Sequence, residues 1–336
     1  SVFSVVLADD SWLSYTISGT IVTFKAKSKN TTGNIRTTIA TITAGTGAAA
    51  KAVEVTVNQN VAAEGDASLE LSTNTVTITP DAVAKSEVIT MISDETEFAI
   101  NITDESWVKA YVDVTSKTLY FWTLSPNLNS SSRVTTATVI AGSGANAPKQ
   151  EVTITQRGLL SSEFAVGQVI ADNGSLKGGI VFWVDATNRG KAKIMSLDRE
   201  NLAWSTAGSP ASTGVTLSND DGLANTTALA ALPNAAEMPA LKYCMDKGSG
   251  WYWPTRSDLE QMFETYNGTK VADATEDNPN AITDFEKANR AAWDLIVTNV
   301  GGTAMNTAAA SSTGDSYWAS RETSSGTNAF YVRFGK

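Results

Sequence analysis

The sequence contains no histidine, and its 336 residues include a single cysteine, Cys244. Without an imidazole there can be no Ser-His-Asp triad, no Cys-His pair and no histidine-ligated zinc. One cysteine also excludes an internal disulfide framework. Cys244 lies at an apolar position of a predicted helix, so we expect a buried thiol rather than a reactive one. These absences remove most enzyme classes, and we expect no catalytic residue and no cofactor.

Charges and long apolar runs are also scarce. Charged residues make up 18% of the chain, the formal net charge is -10, and there is no basic run. Nucleic acid is therefore not an expected partner. With no stretch of about 18 apolar residues and no signal-peptide pattern at Ser1, we expect no membrane span in these residues. Abundant Thr, Ser and Asn predict an exported, cell-surface or extracellular protein, with any outer-membrane attachment through a lipid anchor outside this sequence.

The first half of the chain contains an internal repeat. Trp12 recurs 95 residues later as Trp107, and segment 36–45 recurs 97 residues later as 133–142. Within each copy apolar residues alternate with Thr, and turn residues separate the segments, which predicts short antiparallel strands. Strands at this spacing favour two all-β sandwich modules of the immunoglobulin type. Because Trp12 and Trp107 share one position beside apolar residues, we interpret both as structural core residues.

The two copies differ where they begin. Residues 69–97 supply about two further strands ahead of Phe98. Phe98 aligns with Phe3, and only Ser1 and Val2 precede Phe3. We therefore expect the first module to be N-terminally incomplete in this sequence, its opening strands having been left out or trimmed, since a bare sheet edge there would otherwise invite pairing.

One strand of the second copy is rich in aromatic residues. Tyr120 and Trp122 lie two positions apart, and the matching strand of the first copy has nothing comparable. If the second module binds sugar, these are the expected surface aromatics for stacking.

A different domain begins at about residue 164. Apolar runs between Gly-rich turns predict strands over 164–170, 179–184 and 192–197, and two more at 317–320 and 328–334. The predicted limits are residues 1–60 and 61–158 for the two sandwiches, 159–163 for a linker and 164–336 for an α+β domain.

Three helices are predicted in this last domain. The first ends at Lys247, before Gly248. The second starts after the N-cap Thr255, carries Asp258 three residues later and stops at Gly268. The third uses Thr283 and Glu286 as a capping box and ends at 301–302.

The repeat carries three landmarks in the same order. Each copy has Trp followed by an aliphatic residue, an Arg leading an alternating strand that ends Ala-Gly, and a last strand closing on Gln. In these landmarks residues 1–158 resemble the BACON family, small sandwich modules of exported Bacteroidetes proteins. The resemblance implies either glycan or mucin binding or a plain spacer role, and we favour the spacer.

A second resemblance covers residues 164–336. The matching motifs are Gly178–Asp185, Asp221–Thr226, Gly250–Thr255 with Asp258 and Leu259, Tyr317–Ser320 with Glu322, and Ala329–Phe334. They resemble the Lcl C-terminal-like family, which includes the end domain of a collagen-like bacterial adhesin and the Fibrobacter paralogous surface domains. The resemblance implies a C-type-lectin-like character and a recognition role at the cell surface.

The sequence departs from that family at several positions. The family usually has Glu where Asp258 stands and Ser-Thr where Ser320 and Arg321 stand. Trp253 occupies a position that is generally aliphatic, which predicts that its ring points inward. The calcium-chelating Glu-Pro-Asn signature of lectins is absent, and 278–280 is the nearest match. We therefore do not expect calcium-dependent lectin activity.

Polar and aromatic residues of the last domain are the expected ligand contacts. Sugars bind through hydrogen bonds and through CH faces laid on aromatic rings. The candidates are Trp251, Arg256, Trp318, Arg321, Glu322 and Tyr331.

The residue types also suggest a hydrolase site and a metal site as alternatives. Asp258, Glu260 and Glu322 could in principle supply the carboxylate pair of a glycoside hydrolase. Capping and ion pairing are favoured instead, with Thr255 and Asp258 as structural residues of a helix start. For a metal, the weak candidates Asp220, Asp221 and Asn225 lack the spacing of a calcium loop, so no metal is expected.

The expected partner is a glycan or a glycoprotein. Both halves of the chain carry net negative charge, which repels sulfated polyanions and favours a neutral or aminosugar-containing ligand. The sequence thus predicts a non-enzymatic cell-surface adhesin with the sandwiches as spacers. The alternatives are a carboxylate-pair hydrolase and a structural or assembly subunit of a surface complex.

Overall fold

The computed structural model describes residues 3–30, 32–61, 68–144, 147–173, 178–206, 213–270, 283–305, 315–322 and 329–334. The described chain is mostly β-sheet, with its α-helices confined to the C-terminal part. It forms two compact units, Ser1–Leu69 with Ser93–Glu97 and Ala141–Pro148, and Glu70–Ile92 with Phe98–Ile140 and Lys149–Lys336. The coarse prediction of a largely β, multidomain protein with helices near its end is confirmed, while the residue limits of the domains stay a prediction. None of the described helices is long and apolar enough to cross a bilayer.

The first module contains five described strands. They are β1 Phe3–Leu7, β2 Leu13–Ser18, β3 Ile21–Ala26, β4 Arg36–Ala44 and β5 Lys51–Gln59. β4 pairs antiparallel with β1 on one side and with β5 on the other, and β2 forms a hairpin with β3. The buried residues include Trp12, Leu13 and Ala40.

The second module contains eight described strands in two sheets. They are β6 Leu69–Leu71, β7 Thr75–Ile78, β8 Ile89–Ser93, β9 Phe98–Ile102, β10 Val108–Asp113, β11 Thr118–Thr123, β12 Arg133–Ala141 and β13 Lys149–Gln156. One sheet has the order β10-β11-β8-β6, and the other has the order β7-β13-β12-β9 with β7 parallel to β13. Three strands therefore precede Phe98, where about two were predicted, because the turn at 72–74 splits one run into β6 and β7, which join different sheets.

The repeated landmarks form the same interaction in both modules. The Arg36 guanidinium lies 4.9 Å from the centre of the Trp12 ring, and its Nε donates to Oε1 of Gln59 over 2.8 Å. In the second module Arg133 lies 4.7 Å from the Trp107 ring and makes the matching 2.7 Å bond to Gln156. An arginine held between an aromatic face and an amide oxygen explains why these residue types recur together.

The C-terminal part combines short antiparallel strands with helices. The strands are β14 Val169–Ile170, β15 Gly179–Val184, β16 Ala192–Met195, β17 Ser316–Glu322 and β18 Ala329–Arg333. The helices are α1 Gly222–Ala230, α2 Pro239–Met245, α3 Arg256–Asn267 and α4 Asp284–Asn299. β14, β15 and β16 form one sheet in that order, and β17 pairs with β18. Of the run predicted as a strand over 164–170, only β14 is a strand.

The three predicted helices are confirmed, and a fourth was missed. Capping boxes start α3 at Thr255 and α4 at Thr283, and Gly268 ends α3 in the left-handed conformation. The missed helix, α1, reads Gly-Leu-Ala-Asn-Thr-Thr-Ala-Leu-Ala, and Gly, Asn and Thr have weak helix propensity. Its start is nevertheless capped, because the side chain of Asp221 accepts a hydrogen bond from the Ala224 amide.

Within the second compact unit, the second sandwich and the C-terminal part share a buried ion pair. Asp81 Oδ1 accepts hydrogen bonds from Arg189 Nη2 over 2.6 Å and from the Val166 amide over 2.8 Å. Residues 159–163, predicted as a linker, are also held by contacts, since Glu163 pairs with Arg157 over 2.7 Å.

An aromatic cluster also joins the second sandwich to α4 within the same unit. The Phe285 ring of α4 lies 5.3 Å from Trp122 and 5.5 Å from Tyr120, and Lys85 Nζ lies 4.1 Å from its centre. Trp122 is buried and Tyr120 is half-buried. The prediction that these two are surface aromatics for sugar stacking is therefore wrong, because α4 covers their strand.

We expect Asp81→Ala to destabilise the protein by about 3 kcal/mol, because it leaves the largely buried Arg189 without its closer carboxylate, with only Glu163 remaining at 3.9 Å. The measurement is urea denaturation followed by tryptophan fluorescence. Glu105→Ala is the matched control, since it removes the solvent-exposed pair with Lys109 and is expected to change stability by less than about 1 kcal/mol. Similar effects of the two substitutions would contradict this assignment.

Two glycines with similar backbone angles provide a second test. Gly268 has φ +78° and Gly301 has φ +82°, so alanine at either site costs about 1 kcal/mol of backbone strain. At Gly268 a Cβ atom would also lie 2.7 Å from the Phe285 ring, whereas at Gly301 nothing lies within 4 Å. We expect Gly268→Ala to lower the thermal midpoint clearly more than Gly301→Ala, and equal shifts would show that Phe285 is free to move.

Candidate functional site

The C-terminal part of the second compact unit contains a cleft with a volume of about 940 Å³. Its walls come from β16 and the loop after it, from α2, from the segment 250–254, from the start of α3 and from β17. A cleft of this size is in the range of small-molecule and sugar binding sites.

The segment 250–254 is anchored by its middle aromatic residue. Trp253 is 2% exposed, packs 5.4 Å from the Trp204 ring and donates its indole N–H to the Trp318 carbonyl over 3.0 Å. Its neighbours Trp251 and Tyr252 line the cleft. The inward position of Trp253 therefore fixes where these two rings lie.

The start of α3 supplies a buried carboxylate next to the cleft. Asp258 is 2% exposed, and its Oδ2 accepts from both the amide and the hydroxyl of Thr255, over 2.9 and 2.8 Å. Its Oδ1 accepts from Lys193 Nζ over 2.6 Å. One carboxylate thus caps the helix and neutralises a lysine of the cleft wall.

A second ion pair also lines the cleft. Lys247 Nζ donates to both oxygens of Asp198, over 2.7 and 2.8 Å, and the Tyr243 hydroxyl donates to the same carboxylate over 3.1 Å. Burial disfavours the charge on Asp198, but the hydrogen bonds from Lys247 and Ser196 outweigh it and lower the pKa of the carboxyl to about 2. The pair is therefore ionised at neutral pH.

A third ion pair involves β17. Arg199 Nη1 donates to Asp315 over 2.8 Å and to the Tyr317 hydroxyl over 2.6 Å. Burial works against the charge on Arg199, yet Tyr317 and Asp315 together raise the pKa of the guanidinium. Each of these three cleft cations, Lys193, Lys247 and Arg199, is thus matched by a carboxylate.

The Trp251 ring packs against Gly179 of β15. A Cβ atom at Gly179 would lie 2.5 Å from the Met195 carbonyl and 3.2 Å from the Trp251 ring, so only glycine allows this approach. The indole nitrogen of Trp251 is buried and has no hydrogen-bond partner among the described residues. A buried donor without an acceptor is uncommon in folded proteins.

The structure places only some of the ligand residues predicted from the sequence in the cleft. Trp251 and Trp318 line the cleft, and the Trp318 ring packs edge-on against Tyr331 at 5.6 Å. Arg256 and Arg321 lie elsewhere, 5.4 and 5.8 Å from the Phe330 ring. The main chain of Glu322 pairs with Ala329, and its side chain lies outside the described residues.

The carboxylates considered for hydrolysis are engaged in other contacts. Asp258 is occupied by the helix cap and Lys193, and Glu260 Oε1 accepts from Arg256 Nε over 2.6 Å. These two residues therefore do not form a free acid and base pair in the cleft.

The weak metal candidates are also engaged in protein contacts. Asp220 accepts from the Ser257 hydroxyl over 2.6 Å, Asp221 caps α1, and Asn225 bonds the main chain of Ser218. The structure groups no three His, Cys, Asp or Glu residues as a metal site within its described ranges. The segment 278–280 lies outside the described residues.

The sequence did not predict most of the polar residues of the cleft. Its ion pairs join residues that are 49, 65 and 116 positions apart, so no local spacing reveals them. The only sequence signal was the clustering of Tyr and Trp at 251–253 and 317–318, which does point to this cleft.

Comparison with known proteins identifies no family. The chain matches no family model and no curated protein. Among solved structures, the human desmocollin-1 ectodomain is 11% identical with a TM-score of 0.28, covering 39% of this chain and 28% of its own. Mouse cadherin-23 EC22–24 is 13% identical with a TM-score of 0.27, covering 48% and 55%. The protocadherin gammaB7 EC3–6 cis-dimer is 12% identical with a TM-score of 0.27, covering 51% and 44%. The chain thus spans between about a quarter and about half of these chains, and the likenesses are too weak to define its family.

The cleft also contains the thiol of Cys244, which gives a test of its environment. Burial raises the pKa of this thiol to about 12, so only a minute fraction is thiolate at pH 8. We expect iodoacetamide to label the native protein more than about a hundredfold more slowly than the urea-unfolded protein, with a rate that still rises above pH 10. Rapid native labelling at pH 8 would contradict a buried thiol.

Proposed function

We propose that this chain is a non-enzymatic recognition protein of the cell exterior, which binds a neutral or aminosugar-containing glycan, free or on a glycoprotein, in the cleft of its C-terminal domain. The observation that carries this is the cleft wall, where three neutralised ion pairs stand beside Trp251 and Trp318.

The paired charges favour hydroxyl groups over ions. A bare lysine or arginine attracts an anion, but one already held by a carboxylate has little net charge left to offer. A sugar hydroxyl suits such a pair, because it donates to the carboxylate and accepts from the cation. The rings of Trp251 and Trp318 provide apolar surface for the CH face of a sugar.

The N-terminal modules serve as spacers in this proposal. The landmarks Trp12, Arg36 and Gln59 and their counterparts build structural contacts rather than a cleft. The resemblance of residues 1–158 to BACON modules and of 164–336 to Lcl-like surface domains supports an exported adhesin with C-type-lectin-like character, anchored to the outer membrane by lipid.

Binding of the full chain to an array of neutral, aminosugar-containing and sulfated glycans tests this function. We expect neutral or aminosugar glycans to bind and sulfated ones to be excluded. Trp251→Ala removes the ring from the cleft wall and should weaken a bound glycan about tenfold in calorimetry, the effect of losing one aromatic surface.

Arg256→Gln is the matched control, because Arg256 lies outside the cleft and is expected to leave the affinity unchanged. If Trp251→Ala binds as tightly as the unmodified chain, the cleft is not the site. Absence of binding to every glycan and to mucin would overturn the sugar ligand altogether.

A further inference from the structure

The described lining of the cleft carries one carboxylate more than its cations can neutralise. Its three cations are each paired with an acid, Lys193 with Asp258, Lys247 with Asp198 and Arg199 with Asp315. The fourth acidic residue of the lining is Glu200, which makes no ion pair or hydrogen bond with the described residues. Four carboxylates against three cations leave one negative charge, and Glu200 is the residue that carries it.

The contacts of the loop after β16 fix the place of Glu200. Arg199 Nη1 donates to the Tyr317 hydroxyl over 2.6 Å, and the Leu202 carbonyl accepts from the Trp318 indole N–H over 3.2 Å. Glu200 lies between these two attachments to β17 and is itself exposed. The loop therefore keeps this carboxylate near Trp318, on the side of the cleft that a ligand reaches from solvent.

The accessible charge of the neighbouring ion pair is also negative. The side chain of Asp198 is 70% exposed, whereas that of Lys247 is 13% exposed. A ligand that enters the cleft here meets the carboxylates of Asp198 and Glu200 before it meets the ammonium of Lys247. Such a field attracts a cationic group.

The aromatic residues of the cleft suit a cation as well. Lys247 Nζ already lies 4.2 Å from the centre of the Tyr243 ring. Within the described ranges, no lysine or arginine lies over the rings of Trp251 and Trp318, although both rings line the cleft and are only partly buried. Tryptophan attracts a cation over its face more strongly than the other aromatic residues do. These two faces are therefore free to contact an ammonium group of a ligand.

We infer that the glycan bound in this cleft carries a protonated amine, with Glu200 as its counter-ion and the faces of Trp251 and Trp318 as its aromatic contacts. The inference rests on the proposed function and narrows it to aminosugars whose amine is free. Acetylation of the amine removes its charge, so Glu200 is the residue that distinguishes a free aminosugar from its acetylated form.

The test compares two tetrasaccharides of identical linkage, one of glucosamine and one of N-acetylglucosamine. Calorimetry uses the full chain in mildly acidic buffer, in which the free amine is protonated. We expect the glucosamine tetramer to bind at least about fivefold more tightly, through one ion pair and one cation–aromatic contact, and we expect added salt to reduce this preference. Equal affinity of the two tetramers would overturn the inference and leave the proposed function in place.

A charge-removing variant assigns the preference to one residue. Glu200→Gln keeps the size of the side chain and is expected to weaken the glucosamine tetramer about threefold to fivefold, while the acetylated tetramer binds as before. Glu237→Gln is the matched control, because it removes the same charge from an exposed carboxylate outside the cleft lining. Equal losses in the two variants would show that the net charge of the chain selects the amine, which would overturn the role of Glu200.

A small cation separates this inference from the proposed function. The probes are choline and the uncharged alcohol in which carbon replaces its nitrogen. We expect choline, but not the alcohol, to change the tryptophan fluorescence of the full chain in a saturable way, and we expect Glu200→Gln to weaken this binding. Choline binding without binding of either tetramer would support the ammonium site and contradict the glycan, whereas binding of the acetylated tetramer alone would do the reverse. If none of the three binds, the ammonium site is overturned.

Discussion

The carboxylate of Asp258 joins the helix start, the sheet and the cleft. It is almost completely buried, and a buried charge is tolerated only when its partners replace the lost water. Thr255 supplies an amide and a hydroxyl, and Lys193 supplies an ammonium from β16. Because all of these groups are satisfied by one side chain, α3 is held against β16 at a fixed distance. This hydrogen-bond network therefore helps to determine the shape of the neighbouring cleft.

The two N-terminal modules show that shared landmarks do not guarantee a closed core. Arg36 and Arg133 make nearly identical contacts with their tryptophans and glutamines. The burial of the equivalent phenylalanines nevertheless differs, because Phe24 is half-buried and Phe121 is fully buried. The landmark contacts hold the last strands of each module together, whereas the second module has further strands, with β8 beside β11 and β7 beside β13. Local interactions therefore set the strand register, and the completeness of the sheets determines how much apolar surface is removed from water.

Features that depend on local chemistry were readable from the sequence, and those that depend on chain folding were not. The capping patterns at Thr255 and Thr283 located two helix starts because a cap needs only residues three positions apart. Helix α1 was not predicted, because its residues have weak helix propensity and its stability comes from packing. Trp122 was misjudged because its cover, Phe285, is distant in the sequence. The cleft was indicated by its aromatic residues alone, since its ion pairs join distant segments.

The balance of charge in the cleft has a consequence for selectivity. The chain carries a net charge of -10, and its field disfavours anionic ligands at long range. At short range, each of the cations Lys193, Lys247 and Arg199 is held by its own carboxylate, so the described lining of the cleft offers no uncompensated positive group that would reverse this preference. Recognition must then depend on directional hydrogen bonds and on the faces of Trp251 and Trp318. Directional bonds discriminate the orientation of hydroxyl groups, which is the property that distinguishes one sugar from another.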